Sequence, residues 1–333
     1  MRAAVITQLN QPWKIQDMPD PRPKAGQVLI RMRASGMCGT DIHVHRGHMP
    51  VTLPLVAGHE PVGIVAEVGA GVTDLRAGDR VGVSWHQKGC GRCRFCQQGR
   101  GKYCPESQTW SDLGGGNADL MLAWASGCTL VPAGLSDEEA APVFCAGFTV
   151  MSGLRNADPR PGDRVAVLGI GGLGHLAIQY ARALGLDVVA LTGTESKSQE
   201  ARQLGAHDVV VAKDDLGKAL TDAGGADVIL ATTNSAAHVT SALRGLRPEG
   251  RLVNMGALDG PIQADSMQFL SNQVRLVGSM QNNRRDLVEA LELGAAGKVK
   301  PMLEVYPFEK VNEVRDRLAA GKVRYRAVLK LAS

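Results

Sequence analysis

The sequence predicts an α/β protein in which a doubly wound, six-stranded parallel sheet is joined to a second, mainly β unit. Three observations lead there. From about residue 161 onward, apolar strands alternate with amphipathic helices, the pattern of a parallel sheet covered on both faces. Before that point, short β-type segments are separated by Gly and Pro and show few helical periods. The length, 333 residues, exceeds the roughly 250 to 300 at which single cores stop growing, so two domains are expected.

In the first part, strands are expected over 2–6, 27–34, 63–68 and 80–83. The pattern changes at Pro161-Gly162-Asp163. Strand 165–168 then leads into helix 173–184, followed by strand 188–191, helix 198–204, and strands 209–211, 228–231, 251–255 and 274–277. Six strands complete the sheet. The remaining helix at 286–296 and strand at 327–331 form a tail too small to fold alone, so it is expected to return to the first domain. The expected division is therefore 1–146 with 282–333, and 147–281.

Composition narrows the function. Hydrophobic residues make up 44%, but no apolar run approaches the roughly 20 residues of a membrane helix. The net charge of +4 is modest and the basic residues are scattered, which does not suggest nucleic acid. Arg284, Arg285, Arg324 and Arg326 are expected as solvated groups or local anion contacts. With no leader-like opening and thiols expected to be reduced, the cytoplasm is the expected compartment.

Four of the seven cysteines, Cys90, Cys93, Cys96 and Cys104, crowd one glycine-rich loop. Two overlapping Cys-x-x-Cys steps and a fourth thiol bring four thiolates within reach of one tetrahedral Zn²⁺. Disulfides are the competing reading, disfavoured by the odd cysteine count and the size of the chain. Four protein ligands leave no open position, so this zinc is expected to be structural.

Gly169-Ile170-Gly171-Gly172-Leu173-Gly174 follows the first strand of the predicted sheet and opens a helix. In such a turn the first glycine permits the bend, the second lets a pyrophosphate approach, and the third lets helix and strand pack closely; the helix N-terminus then faces the phosphates. At the end of the next strand an NAD site usually carries an acid for the ribose 2′-hydroxyl. Thr192 stands there instead. NADP(H) is therefore favoured over NAD(H), with Thr192, Thr194 and Lys197 as phosphate contacts, although Glu195 would take the ribose role if the turn shifts.

Cys38, His59 and Cys145 offer two thiolates and an imidazole, the number of protein ligands that leaves a zinc with one open position. On the residues alone this stays open, because a lone Cys or His is more often part of a core, as Cys128 is expected to be.

Cys38-Gly-Thr-Asp-Ile-His43, Gly58-His59-Glu60, the four-cysteine loop, Cys145-Ala-Gly-Phe-Thr149 and the glycine turn stand in the order and spacing of another set of proteins. Over essentially its whole length the chain resembles the zinc-dependent alcohol dehydrogenases of the medium-chain dehydrogenase/reductase superfamily, most of all the microbial and cinnamyl alcohol dehydrogenase branches. The resemblance implies a GroES-like catalytic domain beside a Rossmann domain. It also implies two zinc ions per chain, one of them catalytic on Cys38, His59 and Cys145, with Glu60 as an occasional alternative ligand. Asp41 is implied to bond to His59, Thr40 to bond the substrate oxygen, and His43 to relay the proton to solvent. Thr149 and Leu173 are implied beside the nicotinamide and Arg326 beside the pyrophosphate. Alignment with the family puts Met49, Trp85 and Trp110 in the substrate cleft. Gly39 departs from the pattern, since many relatives carry His or Arg there.

The expected function is hydride transfer between NADP(H) and a primary, medium-chain or aromatic alcohol or its aldehyde, by a homodimer or homotetramer. Two alternatives stand beside it: a polyol or secondary-alcohol dehydrogenase using NAD(H), and a non-catalytic zinc- and nucleotide-binding protein.

Overall fold

The structure, a computed structural model, describes residues 1–331. It divides into two compact units, one comprising Met1–Cys145 with the tail from Pro301, the other Ala146–Lys300.

The second unit is built on six parallel strands in the spatial order Asp208–Val211, Asp187–Thr192, Arg164–Leu168, Ala226–Ala231, Leu246–Asn254 and Arg275–Gly278. This is the doubly wound order 3-2-1-4-5-6, with a crevice where the order reverses at the first strand. Val165, Ala166 and Val167 are fully buried, as are Val188 to Leu191; a strand covered on both faces needs such an uninterrupted apolar run. The glycine turn lies at the end of Arg164–Leu168, and the helix Gly174–Ala183 begins within it.

Two helices that flank this unit correct the sequence reading. Ala146–Ala157 forms a continuous helix that the sequence pattern does not announce. Arg284–Ala295, expected to return to the first domain, packs against it in the second. Ser152 donates to the buried Asp286 carboxylate at 2.9 Å, and the Tyr180 hydroxyl donates to the Ala290 carbonyl at 3.1 Å. The boundary therefore falls at residue 300 rather than 281.

The first unit carries a larger sheet, in the order Cys128–Leu130, Arg80–Val83, Glu60–Val68, Gln27–Met37, Arg326–Lys330 and Leu303–Pro307, with Leu120–Trp124 also paired to Gln27–Met37. Its pairs are antiparallel except the last, Leu303–Pro307 with Arg326–Lys330. Ile30, Met32, Met121 and Phe308 fill the core beneath it. The final strand does return to this unit as expected, with Ala327 opposite Met37. Two short strands, His86–Lys88 and Gln108–Thr109, pair on either side of the four-cysteine loop and close its ends. No helix of the described residues is long and apolar enough to cross a membrane.

Two glycines of the turn should respond differently to a methyl group. A Cβ on Gly174 would lie 1.9 Å from the Gly169 carbonyl oxygen, whereas one on Gly171 meets nothing within 4 Å. Overpacking of this kind costs about 1 to 3 kcal/mol. In urea denaturation Gly174→Ala is therefore expected to lose about that much stability, and Gly171→Ala to unfold at the wild-type midpoint.

Candidate active site and metal centres

Cys38 follows directly after the long central strand of the first unit, Gln27–Met37, and caps the helix Gly39–His45. The cap is reciprocal: the Cys38 sulfur accepts from the Thr40 amide at 3.3 Å, and the Asp41 carboxylate accepts from the Cys38 amide at 2.8 Å. This orders the thiol and turns Asp41 inward. Its other oxygen then lies 3.4 Å from His59 Nδ1, and both side chains are buried. His59 and Glu60 enter from a turn at Gly58, whose φ of +100° and lack of room beside Asn117 both favour glycine.

Four donors converge. His59 Nε2 lies 3.1 Å from Cys38 Sγ, Cys145 Sγ lies 3.9 Å from Cys38 Sγ, and a Glu60 oxygen is 3.9 Å from His59 Nε2. The four ligand atoms all fall within 4.8 Å of one another. A sulfur separation of 3.9 Å is far beyond the roughly 2.0 Å of a disulfide. It is close to the edge of about 3.8 Å that a tetrahedron with Zn–S bonds of about 2.3 Å requires. The donor set thus fits a zinc ion with three or four protein ligands.

The electrostatics agree with that fit. Cys145, acting as hydrogen-bond partner, draws the Cys38 thiol well below its ordinary value, helped by the His59 and Arg326 charges, while burial opposes this. The hydrogen bond to Cys38 and burial push Cys145 well above. Burial alone would lower His59, but the Cys38 and Asp41 charges raise it overall. Glu60 is pushed up to about 7, chiefly by burial, with Arg326 pulling the other way. Two thiols and two carboxylates in one buried pocket are short of positive charge, which a divalent cation would supply.

Of the two alternatives for Arg326, a solvated group or a local anion contact, the structure shows the second. Arg326 is 3% exposed, so it is not a solvated cation, and its guanidinium is hydrogen-bonded to the fully buried Glu60. Sheet register explains the pairing, since Gly36 lies opposite Glu60 and the neighbouring Met37 opposite Ala327. Gly36 leaves the space, for a Cβ there would lie 2.0 Å from a Glu60 oxygen. Sequence alone gave no signal for this pair, because 266 residues separate its members.

The remaining expected residues fall as follows. Thr40 and His43 are half-buried on the capped helix. The Trp85 and Trp110 rings stand 5.4 and 6.0 Å from the His59 ring and 5.8 Å from each other, which makes them a wall around that imidazole; Trp110 is buried. Met49 is half-buried against the core of the first unit. Cys128 is buried in that core, as expected.

Cys90, Cys93, Cys96 and Cys104 form the second cluster. Backbone amides aim at its sulfurs, from Cys90 and Glu106 to Cys104 and from Cys93 to Cys90, at 3.3 to 3.4 Å. Amide donors at Arg92 and Cys93 hold the Cys90 thiol down at about 6. The Gly91 amide pulls Cys96 down too, but burial and the neighbouring thiols push it up to about 12. Four adjacent thiolates need a countercharge, and the donor set fits a closed tetrahedral zinc. Of the basic residues of this loop, Arg94 and Arg100 lie over Phe95 and Lys102 over Tyr103, while Arg92 pairs with Glu106 at 3.2 Å.

In the second unit, Gly169 takes a φ of +90° and Gly174 is packed against its carbonyl. Lys197 donates to the Ile170 carbonyl at 2.9 Å, which ties the end of the second strand to the glycine turn. The Thr192 hydroxyl is buried and accepts from the Thr194 amide at 3.3 Å; Thr194 and Glu195 are exposed. Thr149 lies buried on Ala146–Ala157, and Leu173 is the residue that precedes Gly174–Ala183.

A doubly wound domain with this turn, beside two clusters of zinc-type donors, defines a zinc-binding dehydrogenase. The family profiles agree: the alcohol dehydrogenase GroES-like domain matches residues 24–133 and the zinc-binding dehydrogenase domain residues 172–296. An alcohol dehydrogenase of Geobacillus stearothermophilus is 41% identical over 336 aligned residues, covering 99% of this chain and all of that protein. The crystal structure of an alcohol dehydrogenase from Aeropyrum pernix superposes with a TM-score of 0.91 at 30% identity, covering 99% and 100% of the two chains. A cinnamyl alcohol dehydrogenase from Sorghum bicolor gives 0.90 at 29% identity, covering 99% and 97%. The chain belongs to the zinc-type alcohol dehydrogenases of the medium-chain dehydrogenase/reductase family. It is an oxidoreductase, and the non-catalytic alternative falls away.

Removing one partner of a buried ion pair costs about 3 to 5 kcal/mol, and removing both costs less. Arg326→Leu is expected to destabilise by about that amount. Glu60→Gln combined with Arg326→Leu should recover part of the loss, as read from urea denaturation in a double-mutant cycle.

Proposed function

We propose that the chain transfers hydride between NADP(H) and a primary, medium-chain or aromatic alcohol or its aldehyde. The observation that carries this reading is the convergence of Cys38, His59 and Cys145 beside Glu60. When bound, zinc supplies a Lewis acid and the nicotinamide supplies the hydride chemistry. Cys38, His59 and Cys145 would hold the catalytic ion, and the four-cysteine loop a structural one.

The protein's own groups do the rest. Asp41 favours the proton of His59 on Nδ1, which leaves the Nε2 lone pair facing the thiols. Thr40 orients the substrate hydroxyl, and His43 carries the released proton toward solvent. Glu60, held by Arg326, stays beside the ligands as a spare carboxylate. The flexible Met49 leaves room for a larger substrate than a small alcohol, with Trp85 and Trp110 as the aromatic lining, and the likeness to a cinnamyl alcohol dehydrogenase supports an aromatic one.

The cofactor preference rests on Thr192 in place of an acid, with Thr194 and Lys197 as further phosphate contacts. The exposed Glu195 favours the second reading, NAD(H) with a polyol or secondary alcohol. Seven free cysteines support the cytoplasm as the compartment. Exposed Met267, Leu270 and Leu276 support assembly into a homodimer or homotetramer.

Two measurements test these assignments. Metal analysis with turnover assays should find that Cys38→Ser or His59→Ala loses one zinc per chain together with activity, and that Cys93→Ser loses the other zinc and lowers thermal stability first. Full activity in a zinc-depleted Cys38→Ser protein would refute the catalytic assignment. In the cofactor comparison, kcat/KM should favour NADPH over NADH by about tenfold or more, the effect of one charge-assisted hydrogen bond; a preference for NADH would overturn the assignment.

A further inference from the structure

Three histidines crowd the segment after Cys38: His43, His45 and His48. His45 is engaged elsewhere, since its Nδ1 accepts from the Trp13 indole N–H at 3.3 Å. The other two face each other. Their Nδ1 atoms are 3.4 Å apart, with ring centroids at 5.6 Å and planes inclined by 43°. The turn between them is fixed by Gly47, at a φ of +74° with Leu9 filling the space beside it. It is closed by the His48 amide, which donates to the His43 carbonyl at 2.9 Å. His43 is half-buried and His48 exposed.

Two imidazoles in this arrangement share one proton between their Nδ1 atoms, one ring donating and the other accepting, which leaves Nε2 of each ring for other partners. We propose that His48 extends the proton path, taking the proton from His43 and releasing it to water. The proposal rests on the reading of His43 as the relay residue. In alcohol oxidation a proton arrives at His43 Nε2. The proton on His43 Nδ1 crosses to the lone pair of His48 Nδ1, and His48 gives up its Nε2 proton to solvent. One proton enters and one leaves, no electrons move, and exchange with water restores the two tautomers. In this path His48 acts only through His43, as a positioning residue.

The test uses the zinc-loaded enzyme with nicotinamide cofactor and an oxidisable alcohol, following proton release in a single turnover by stopped flow with a pH indicator in weak buffer. His48→Gln is expected to slow release about three- to tenfold, less than the roughly 100-fold that a direct general base supplies. Free imidazole should restore the rate, and the cofactor KM should not change. In the cofactor-free protein the ¹⁵N resonance of His43 Nδ1 should move in His48→Ala, a readout independent of turnover. Slow release in His43→Gln with normal release in His48→Gln would overturn the proposal and leave the relay reading standing. Normal release in both variants would remove the relay reading and the proposal with it. Slowing that imidazole does not restore, or an unmoved His43 resonance, would give His48 a structural role and would equally overturn it.

Discussion

The catalytic half of this molecule depends on the register of one strand. Gln27–Met37 pairs along its length with Glu60–Val68, Leu120–Trp124 and Arg326–Lys330, and Cys38 follows directly on its last residue. Because side chains alternate faces, a slip of one residue in any of these pairs would turn its partner's side chains to the other face of the sheet. The pairing of Gly36 with Glu60 and of Met37 with Ala327 therefore sets which charges meet behind the thiols. The helix cap completes the arrangement, since the hydrogen bonds that start Gly39–His45 are the same ones that orient Cys38 and Asp41.

Charge balance is the second constraint, and it links the sheet to the chemistry. The site gathers Cys38, Cys145, Asp41 and Glu60 in a buried pocket with one guanidinium, Arg326. Ionised groups are tolerated in such surroundings only when paired. The arrangement is thus poised for a cation, with Glu60 near its titration point at about 7. The four-cysteine loop answers the same constraint differently, using backbone amides on its sulfurs and leaving Arg94 and Arg100 to lie over Phe95.

Much of this was legible in the sequence, for identifiable reasons. The six strands of the second unit are short apolar runs punctuated by glycine, and a run buried on both faces has few other places to go. The glycine turn was readable because steric need at Gly169 and Gly174 leaves little choice of residue. Cysteine spacing marked the closed metal cluster locally, whereas Cys38, His59 and Cys145 lie on three distant segments and became readable only through resemblance. Long-range electrostatics left no trace: Arg326 read as a solvated group or a local anion contact, and nothing nearby in the sequence pointed to Glu60 as the anion. The helix Ala146–Ala157 escaped notice because its ten buried residues give no polar face to mark a helical period. The tail was misassigned at 282–300, because what binds Arg284–Ala295 to the second unit is a buried Ser–Asp contact and a tyrosine hydroxyl, which no local pattern announces.

That boundary has a consequence for how the chain matures. The second unit is one continuous stretch, Ala146–Lys300, inserted into a first unit assembled from the segments on either side of it. As the ribosome delivers the chain from its N-terminus, the inserted unit is fully synthesised while the first still lacks Arg326–Lys330. Until those residues emerge, the Ala34–Met37 end of one edge of Gln27–Met37 stays unpaired and Glu60 has no guanidinium. The unit that carries the glycine turn can thus settle as an independent cassette, whereas the unit that carries the two cysteine clusters waits for residues translated after that cassette. A nascent chain stalled before residue 326 would hold a complete Rossmann unit tethered to an unfinished, edge-exposed sheet, the kind of intermediate that chaperones engage.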